Sequence, residues 1–508
     1  MKKLFVTTPI YYVNDSPHIG HAYTSIICDA ISRFYFLKGY EVNFLTGTDE
    51  HGLKVEKAAQ KKNIKPQNFV DKISKNFSNL TTLLNLSNND FIRTTEFRHK
   101  KSVEFFWNKL LENGHIYLDK YEGWYSIKDE AFYQEKELIK TENGYETYDG
   151  SKVDWIKEES YFFKLSEWEE KLLELYEKNI DFIQPLSRRN EVINFVKGGL
   201  KDLSISRTSF KWGIKVPNSK NHIIYVWIDA LTNYITSLGY PELNSDSLEY
   251  WNNSIHIIGK DILKFHAIYW PALLMSVDLP PPTKIFAHGW WTNEGKKISK
   301  SLGNSIDPNT IIDKYGLDQM RYFLLREVTL GQDGDYSEQA FINRINADLA
   351  NNLGNLIQRT IKLTNKHFNN KFPMKLDDIY DTSEILLEGY KMIDVIEKKM
   401  QKFEINKALE VIWNFISTLN QFIDKMQPWN TVKTDKHETA KTLSIIIESI
   451  RLIGIILQPF IPDSSNKILD ILNIDVKKRT FKFYGKENCM AINTTLNNSE
   501  QLFPRNND

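Results

Sequence analysis

Residues 4–47 read "LFVTTPIYYVNDSPHIGHAYTSIICDAISRFYFLKGYEVNFLTG", and this stretch decides the fold. The apolar run LFVTTPIYYV predicts a buried strand. After a Pro-bearing turn, Tyr23, Ile26, Ile27, Ala30, Ile31 and Phe34 recur at helical spacing, and Gly39 supplies a stop. EVNFLTG then returns to strand. Strand, helix and strand in this order make one βαβ unit, the building block of a parallel sheet with right-handed crossovers.

Outward from this unit, residues 67–114 read as helical with polar faces. From 115 to about 164 the chain turns irregular, rich in aromatics and charges, and reads as a small inserted module. Strand signals resume at HIIYVWIDA, SIHIIGKDI and KIFAHGWW, two of them followed by helix patterns. A nucleotide-type fold is therefore split in two by the insertion. TNEGKKISKSLGNSIDPNT, after Trp291, predicts an exposed basic loop, with Asp307 and Pro308 opening a helix as N-cap and first residue. Past 344 strand signals nearly vanish, and long helix patterns, one of which must break near 403–406, predict a bundle. The expected segments are 1–114 and 221–291 for the halves of the sheet domain, 115–220 for the insertion, 292–343 for the basic loop region and 344–508 for the all-α domain.

A chain of 508 residues allows two to four domains. Lys+Arg and Asp+Glu both number 65, which argues against wholesale basic binding to nucleic acid but leaves room for a local patch. The hydrophobic share of 41% and charged share of 26% fit a soluble globular chain. The two cysteines, Cys28 and Cys489, lie far apart, so no disulfide framework or cysteine metal site is legible, and a reducing cytoplasm is the default. Thr7, Thr8 and Pro9 interrupt the first apolar run, which reads as a strand rather than a signal peptide. AIYWPALLM and LIGIIL are too short to span a bilayer, so no membrane association is expected.

Two constellations carry chemistry. His18 and His21 share one face of a helix's first turn, where free N–H groups suit phosphate, and Gly20 lets a ring or backbone approach. The same residues are equally ordinary polar starters of a helix. Lys296, Lys297 and Lys300 could reach phosphates from a loop, or could be a solvated surface run.

Together, HIGH (residues 18–21) after the first strand and KISKS (residues 297–301) after the second half resemble the signature pair of class I aminoacyl-tRNA synthetases. FLTGTDEHG, YVWIDALTNYI, IIGKDILKFHAIYWPALL and FAHGWW are similar to the methionyl-tRNA synthetase family, and the likeness runs from about residue 5 to 504. It implies an α/β chain: a split Rossmann-type parallel-sheet catalytic domain, a connective insertion, and an all-α helix-bundle anticodon-binding domain. It also implies activation of L-methionine by ATP, with Mg²⁺ accompanying the triphosphate, and transfer to initiator and elongator tRNA(Met).

By this resemblance His18 and His21 hold the phosphates, and Lys297 and Lys300 close on the leaving pyrophosphate, Lys300 matching the second signature lysine. Gly20, Gly259, Lys260 and Asp261 lie near the nucleotide. Ile10, Tyr12, Trp227, Ala230, Tyr234 and His288 enclose the methionine side chain, and Asp49 pairs with its ammonium. Aromatic walls suit a polarisable thioether, whereas shape alone rejects a one-methylene analogue by only about 1–3 kcal/mol. From the residues alone, Trp227, Ala230 and Tyr234 at i, i+3, i+7 are also a core cluster, and Asp49 a loop cap. Asn355, Arg359 and Trp429 match the readers of a CAU anticodon; an amide and a guanidinium one turn apart can read base edges and an aromatic can stack on a base.

The sequence departs from the family at two places. Many relatives carry a zinc knuckle in the insertion; here WYSIKDEAF places Ser126 and Asp129 where cysteines would stand, and YDGSKVD adds none. A metal-free knuckle is expected, kept for packing and for guiding the tRNA acceptor end. The chain also stops soon after the bundle, without an appended dimerising β-barrel, so a monomer is expected. Synthetases for Leu, Ile or Val usually carry a larger editing insertion, and one for Cys would show zinc-ligand cysteines. A non-catalytic tRNA-binding protein on this scaffold is the remaining alternative, and the intact HIGH and KISKS motifs argue against it.

Overall fold

The computed structural model describes residues 1–13, 16–128, 131–141, 144–298, 306–377, 379, 383–498 and 500–506. They form two compact units: residues 3–17 with 43–288, and residues 1–2 and 18–42 with 289–508.

The first unit holds a seven-stranded sheet. Its strands are β1 (Lys3–Thr7), β2 (Tyr11–Tyr12), β3 (Glu41–Asp49), β4 (Asp90–Arg93), β5 (Ile183–Gln184), β6 (Ser254–Gly259) and β7 (Lys284–His288). The order is β5–β7–β6–β1–β3, with β2 and β4 both paired to β3. β1 runs parallel to β6 with Val6 opposite Ile255, and β3 parallel to β4 with Leu45 opposite Asp90. The expected single first strand is two. Pro9 has no N–H to give to a ladder, so after Thr8, whose N–H still reaches Leu45 O at 3.1 Å, pairing breaks and resumes at Tyr11. β4 lies inside the stretch read as purely helical, between helices Pro66–Leu83 and α2 (Phe97–Glu112). A strand of four residues is too short to show a period. Phe5, Leu45, Ile92, Ile258 and Ile285 from the strands share one core with Phe106, Trp107, Trp251 and Trp270.

The insertion is not irregular. Ile116–Ser126 pairs antiparallel with Asp154–Phe163 from Ile116 opposite Phe163 to Tyr125 opposite Asp154, flanked by Ala131–Tyr133 and Leu203–Ser204. A ribbon solvated along much of both faces has no clean alternation to read. The knuckle region carries an ionic cluster. Lys128 Nζ donates to Asp149 Oδ2 and to Ser151 Oγ, each at 3.0 Å, and Ser151 Oγ donates to Asp149 Oδ1 at 2.9 Å. Burial raises the Asp149 carboxyl, and hydrogen bonds from Thr147, Lys128 and Ser151 outweigh it and hold it well below the usual range. Ser126 is buried, while Asp129 lies outside the described residues. Among the described residues no group of three or more His, Cys, Asp or Glu is placed to hold a metal ion, and no helix is long and apolar enough to cross a membrane.

The second unit contains α1 (Ile19–Leu37) and the helices after residue 307. α1 ends as the sequence predicts: Gly39 (φ +93°) and Tyr40 donate back to Phe36 O and Tyr35 O, a left-handed glycine cap. Asp307 caps the helix Pro308–Tyr315 by accepting from Asn309 N–H at 2.9 Å. Lys296–Lys297, expected in an exposed loop, instead form a two-residue strand against Thr292 and Asn293. The turn Glu294-Gly295, both at positive φ, folds the chain back on itself and the ladder gives the lysines a fixed backbone. The helix break predicted near 403–406 falls between Gln401 and Ile405, with Phe403 at φ 57°.

Candidate active site

The first unit gathers most of the expected amino-acid pocket at the C-terminal ends of its strands, where parallel sheets bind ligands. Tyr12 stands opposite Asp49 in the β2–β3 pair, and Gly259 opposite His288 in the β6–β7 pair. Asp49 and His288 are buried. Tyr12 and Ile10 are half-buried and pack on the same core as Tyr234. α3 (Val226–Thr236) brings Trp227, Ala230 and Tyr234 along one face, with Trp227 half-buried and the other two buried.

Sequence reasoning missed the two residues that complete this wall. The Phe265 ring lies flat on Trp227, 3.6 Å between centroids and 6° between planes. His266 meets the Tyr234 hydroxyl at 2.7 Å through Nε2 and Ile262 O at 3.0 Å through Nδ1. A carbonyl only accepts, so the ring proton is on Nδ1, Nε2 accepts, and the tyrosine hydroxyl donates. Burial drives His266 down to about 4, so it is neutral at pH 7. Tyr234 also stacks on buried His256 at 4.1 Å between centroids, and His256 Nδ1 lies 2.8 Å from Thr7 Oγ1. A lone histidine in an apolar helix reads as core. No local pattern marks it, since its side-chain partner Tyr234 lies 32 residues away in the chain.

Gly259 precedes the 3-10 turn Lys260–Ile262, and a Cβ on it would lie 2.5 Å from Asp261 Oδ1. The glycine leaves room for the Asp261 carboxylate beside the strand end. Lys260 is half-buried and Asp261 exposed.

In the second unit, His18 is the N-cap of α1 and His21 its third residue, and they cap reciprocally. Gly20 N–H donates to His18 Nδ1 and His18 N–H to His21 Nδ1, each at 3.1 Å. With Nδ1 used as acceptor, each neutral ring carries its proton on Nε2, giving two N–H donors with ring centroids 4.0 Å apart. Gly20 has a local reason as well: a Cβ there would come within 2.9 Å of His18 Cε1. Lys297 lies on the two-residue strand, and Lys300 lies outside the described residues.

The bundle brings Asn355, Arg359 and Trp429 onto one surface. Asn355 opens α4 (Asn355–Phe368) and is exposed; Arg359 is one turn further. Its guanidinium donates to Asp424 Oδ1 at 2.9 Å and Asn420 Oδ1 at 3.2 Å, both on α5 (Ile405–Met426). Trp429 sits on the short turn Pro428–Thr431 after Gln427 (φ 45°), half-buried, with Arg359 6.0 Å above its ring.

Comparison with known proteins shows the family. A family model described as tRNA synthetases class I (M) matches residues 4–154 and 140–361, and one for the anticodon binding domain of methionyl tRNA ligase matches 381–508. The methionine–tRNA ligase of Rickettsia felis is 53% identical over 504 residues, 99% of this chain and 98% of that protein. That of Brucella suis biovar 1 is 47% identical over 505 residues, again 99% and 98%. The solved Mycobacterium tuberculosis methionyl-tRNA synthetase in complex with methionyl-adenylate superposes with a TM-score of 0.96 at 43% identity, covering 99% of this chain and 100% of that one.

Proposed function

Since the chain belongs to the methionyl-tRNA synthetase family of class I, we propose how its own residues carry out the family's reaction. It is a methionine–tRNA ligase. A methionine carboxylate oxygen attacks the α-phosphorus of ATP, the bond to the β-phosphate oxygen breaks, and pyrophosphate leaves. The terminal ribose hydroxyl of tRNA then attacks the acyl carbon of the adenylate, and AMP leaves. No covalent enzyme intermediate is needed, so catalysis is positioning and charge stabilisation.

The observation that carries the assignment of roles is the wall on α3. A flat Trp227–Phe265 pair and a buried hydroxyl that donates to a neutral histidine offer an aromatic face and a fixed polar group, which suits a polarisable thioether. In the proposal Ile10, Tyr12, Ala230 and His288 complete the enclosure, His266 joins it, and Asp49 takes the ammonium. His18 and His21 direct Nε2–H donors at phosphate oxygens; Lys297 and Lys300 neutralise the departing pyrophosphate. Gly20, Gly259, Lys260 and Asp261 serve the nucleotide, and Mg²⁺ enters as part of the ATP substrate. Asn355, Arg359 and Trp429 read the anticodon, initiator and elongator tRNA(Met) being the substrates.

The proposal extends to a monomer acting in the cytoplasm, an insertion that guides the tRNA acceptor end without zinc, and the five segments bounded at residues 114, 220, 291 and 343. The test is charging of purified tRNAs. Methionine is expected on tRNA with a CAU anticodon and to be lost when that anticodon is exchanged. Charging that ignores the anticodon, or none with methionine, overturns the reading.

A further inference from the structure

Asp229, also on α3, takes no part in the pocket, yet it is fully buried and holds two histidines. Its Oδ2 lies 2.6 Å from His51 Nδ1 and its Oδ1 2.8 Å from His99 Nε2. All three side chains are at most 3% exposed. His99 is on α2, and His51 is two residues beyond Asp49 in the chain. Burial raises the Asp229 carboxyl, but the charge and hydrogen bonds of His51 and His99 outweigh it and bring it down to about 2. The carboxylate is therefore ionised and only accepts, and both facing ring nitrogens carry protons.

The residue between Asp49 and His51 is clamped as firmly. The Glu50 carboxylate accepts from Arg93 Nε at 2.6 Å, Arg93 Nη2 at 2.9 Å, Thr95 Oγ1 at 2.5 Å and Thr48 Oγ1 at 2.8 Å. Trp212 Nε1 donates to Glu50 O at 2.6 Å, and its indole meets the His51 ring edge to face at 5.4 Å. The Thr48–His51 segment is thus tied to β4 through Glu50 and to α3 through His51. α3 carries Trp227, Ala230 and Tyr234; the tied segment carries Asp49.

We propose that Asp229 and His51 are positioning residues that fix the distance between the carboxylate for the amino-acid ammonium and the wall for its side chain. This rests on the reading of Asp49 as the ammonium partner. Charge-assisted bonds in a dry interior hold such a distance more rigidly than apolar packing would, and an ångström of displacement at a reacting group is costly in rate. The clamp does no chemistry. It lets one substrate be recognised at both ends at once.

Two methionine analogues separate the ends. L-Methioninol keeps the ammonium and thioether; 4-(methylthio)butanoate keeps the thioether and carboxylate but lacks the ammonium. Their inhibition of methionine-dependent ATP–pyrophosphate exchange is measured for wild type, Asp49→Asn, Asp229→Asn, His51→Leu and His51→Asn. Asp49→Asn should weaken methioninol at least tenfold and the acid less than twofold. Asp229→Asn and His51→Leu should do the same, with KM for ATP unchanged. His51→Asn, which keeps an N–H donor near the Nδ1 position, should restore binding to within about threefold of wild type. A merely structural network predicts equal loss of both analogues and no rescue, and that result overturns the clamp. So does unchanged methioninol inhibition in Asp229→Asn. If Asp49→Asn itself spares methioninol, the ammonium reading fails and the clamp falls with it; if only the clamp variants spare it, the ammonium reading stands. Should His51→Leu not fold, Asp229→Asn against Asp49→Asn decides alone.

Discussion

Replacing Tyr234 by Phe removes one oxygen from the wall proposed to enclose the amino-acid side chain. In the folded chain that hydroxyl donates to His266 Nε2 at 2.7 Å, and Tyr234 is 1% exposed. His266 keeps its proton on Nδ1 because Ile262 O holds it there at 3.0 Å. Without the hydroxyl, the Nε2 lone pair is left in a dry wall with no donor. An unsatisfied buried acceptor costs about 1–3 kcal/mol, so Tyr234→Phe should lower stability by about that much while the rings remain stacked. Replacing His266 by Leu as well removes the orphaned acceptor, so the double variant should be less destabilised than the two single losses summed. The coupling expected for a hydrogen bond between groups in contact is about 1 kcal/mol or more. The assay is urea unfolding of wild type, both single variants and the double, with KM for methionine from pyrophosphate exchange. KM should rise in both single variants. Additive stability losses, within about 0.3 kcal/mol, would refute the hydrogen bond between this pair.

Other expectations follow from the same geometry. His266 is lowered to about 4 in the folded chain from an ordinary 6.5, so it favours folding above 6.5 and that contribution is lost as pH falls toward 4; unfolding midpoints should drop across this window in wild type and less steeply in His266→Gln. Asp229, lowered to about 2, loses its contribution only as pH falls below 3.8 and through 2, so this carboxylate's own protonation should add no loss of wild-type stability above pH 4. Trp429→Ala should weaken tRNA binding about tenfold or more, since stacking is worth about 1–3 kcal/mol per base, while methionine-dependent exchange stays at the wild-type rate; loss of both would show that Trp429 is a fold anchor. Metal analysis should find no stoichiometric zinc, and Lys128→Met should lower the unfolding midpoint of the insertion by removing the cation that bridges Asp149 and Ser151; bound zinc would refute the first and an unchanged midpoint the second.

The helix-forming segments and the first βαβ unit were legible because their periods are long and their stops are explicit. Gly39, Asp307-Pro308 and the break near Phe403 all act where the sequence places them. β4 and the insertion's ribbon were not legible, one being too short for a period and the other lacking a single buried face. In the site, candidate residues were named from motifs. His266 and Asp229 were not named, although they lie inside the stretches IIGKDILKFHAIYWPALL and YVWIDALTNYI, because a buried histidine and a buried aspartate carry no local sign of what they bind. Their partners stand 32 residues away for Tyr234–His266, and 178 and 130 residues away for Asp229 with His51 and His99, distances that only the fold closes.

Methionine-dependent ATP–pyrophosphate exchange tests the central claim most directly, because it requires the amino-acid pocket and the phosphate-binding residues but no tRNA. With each of the twenty amino acids supplied singly, exchange is expected with L-methionine and at background with the others, and Trp227→Ala should abolish it. Exchange with a different amino acid, or with none, would contradict the account.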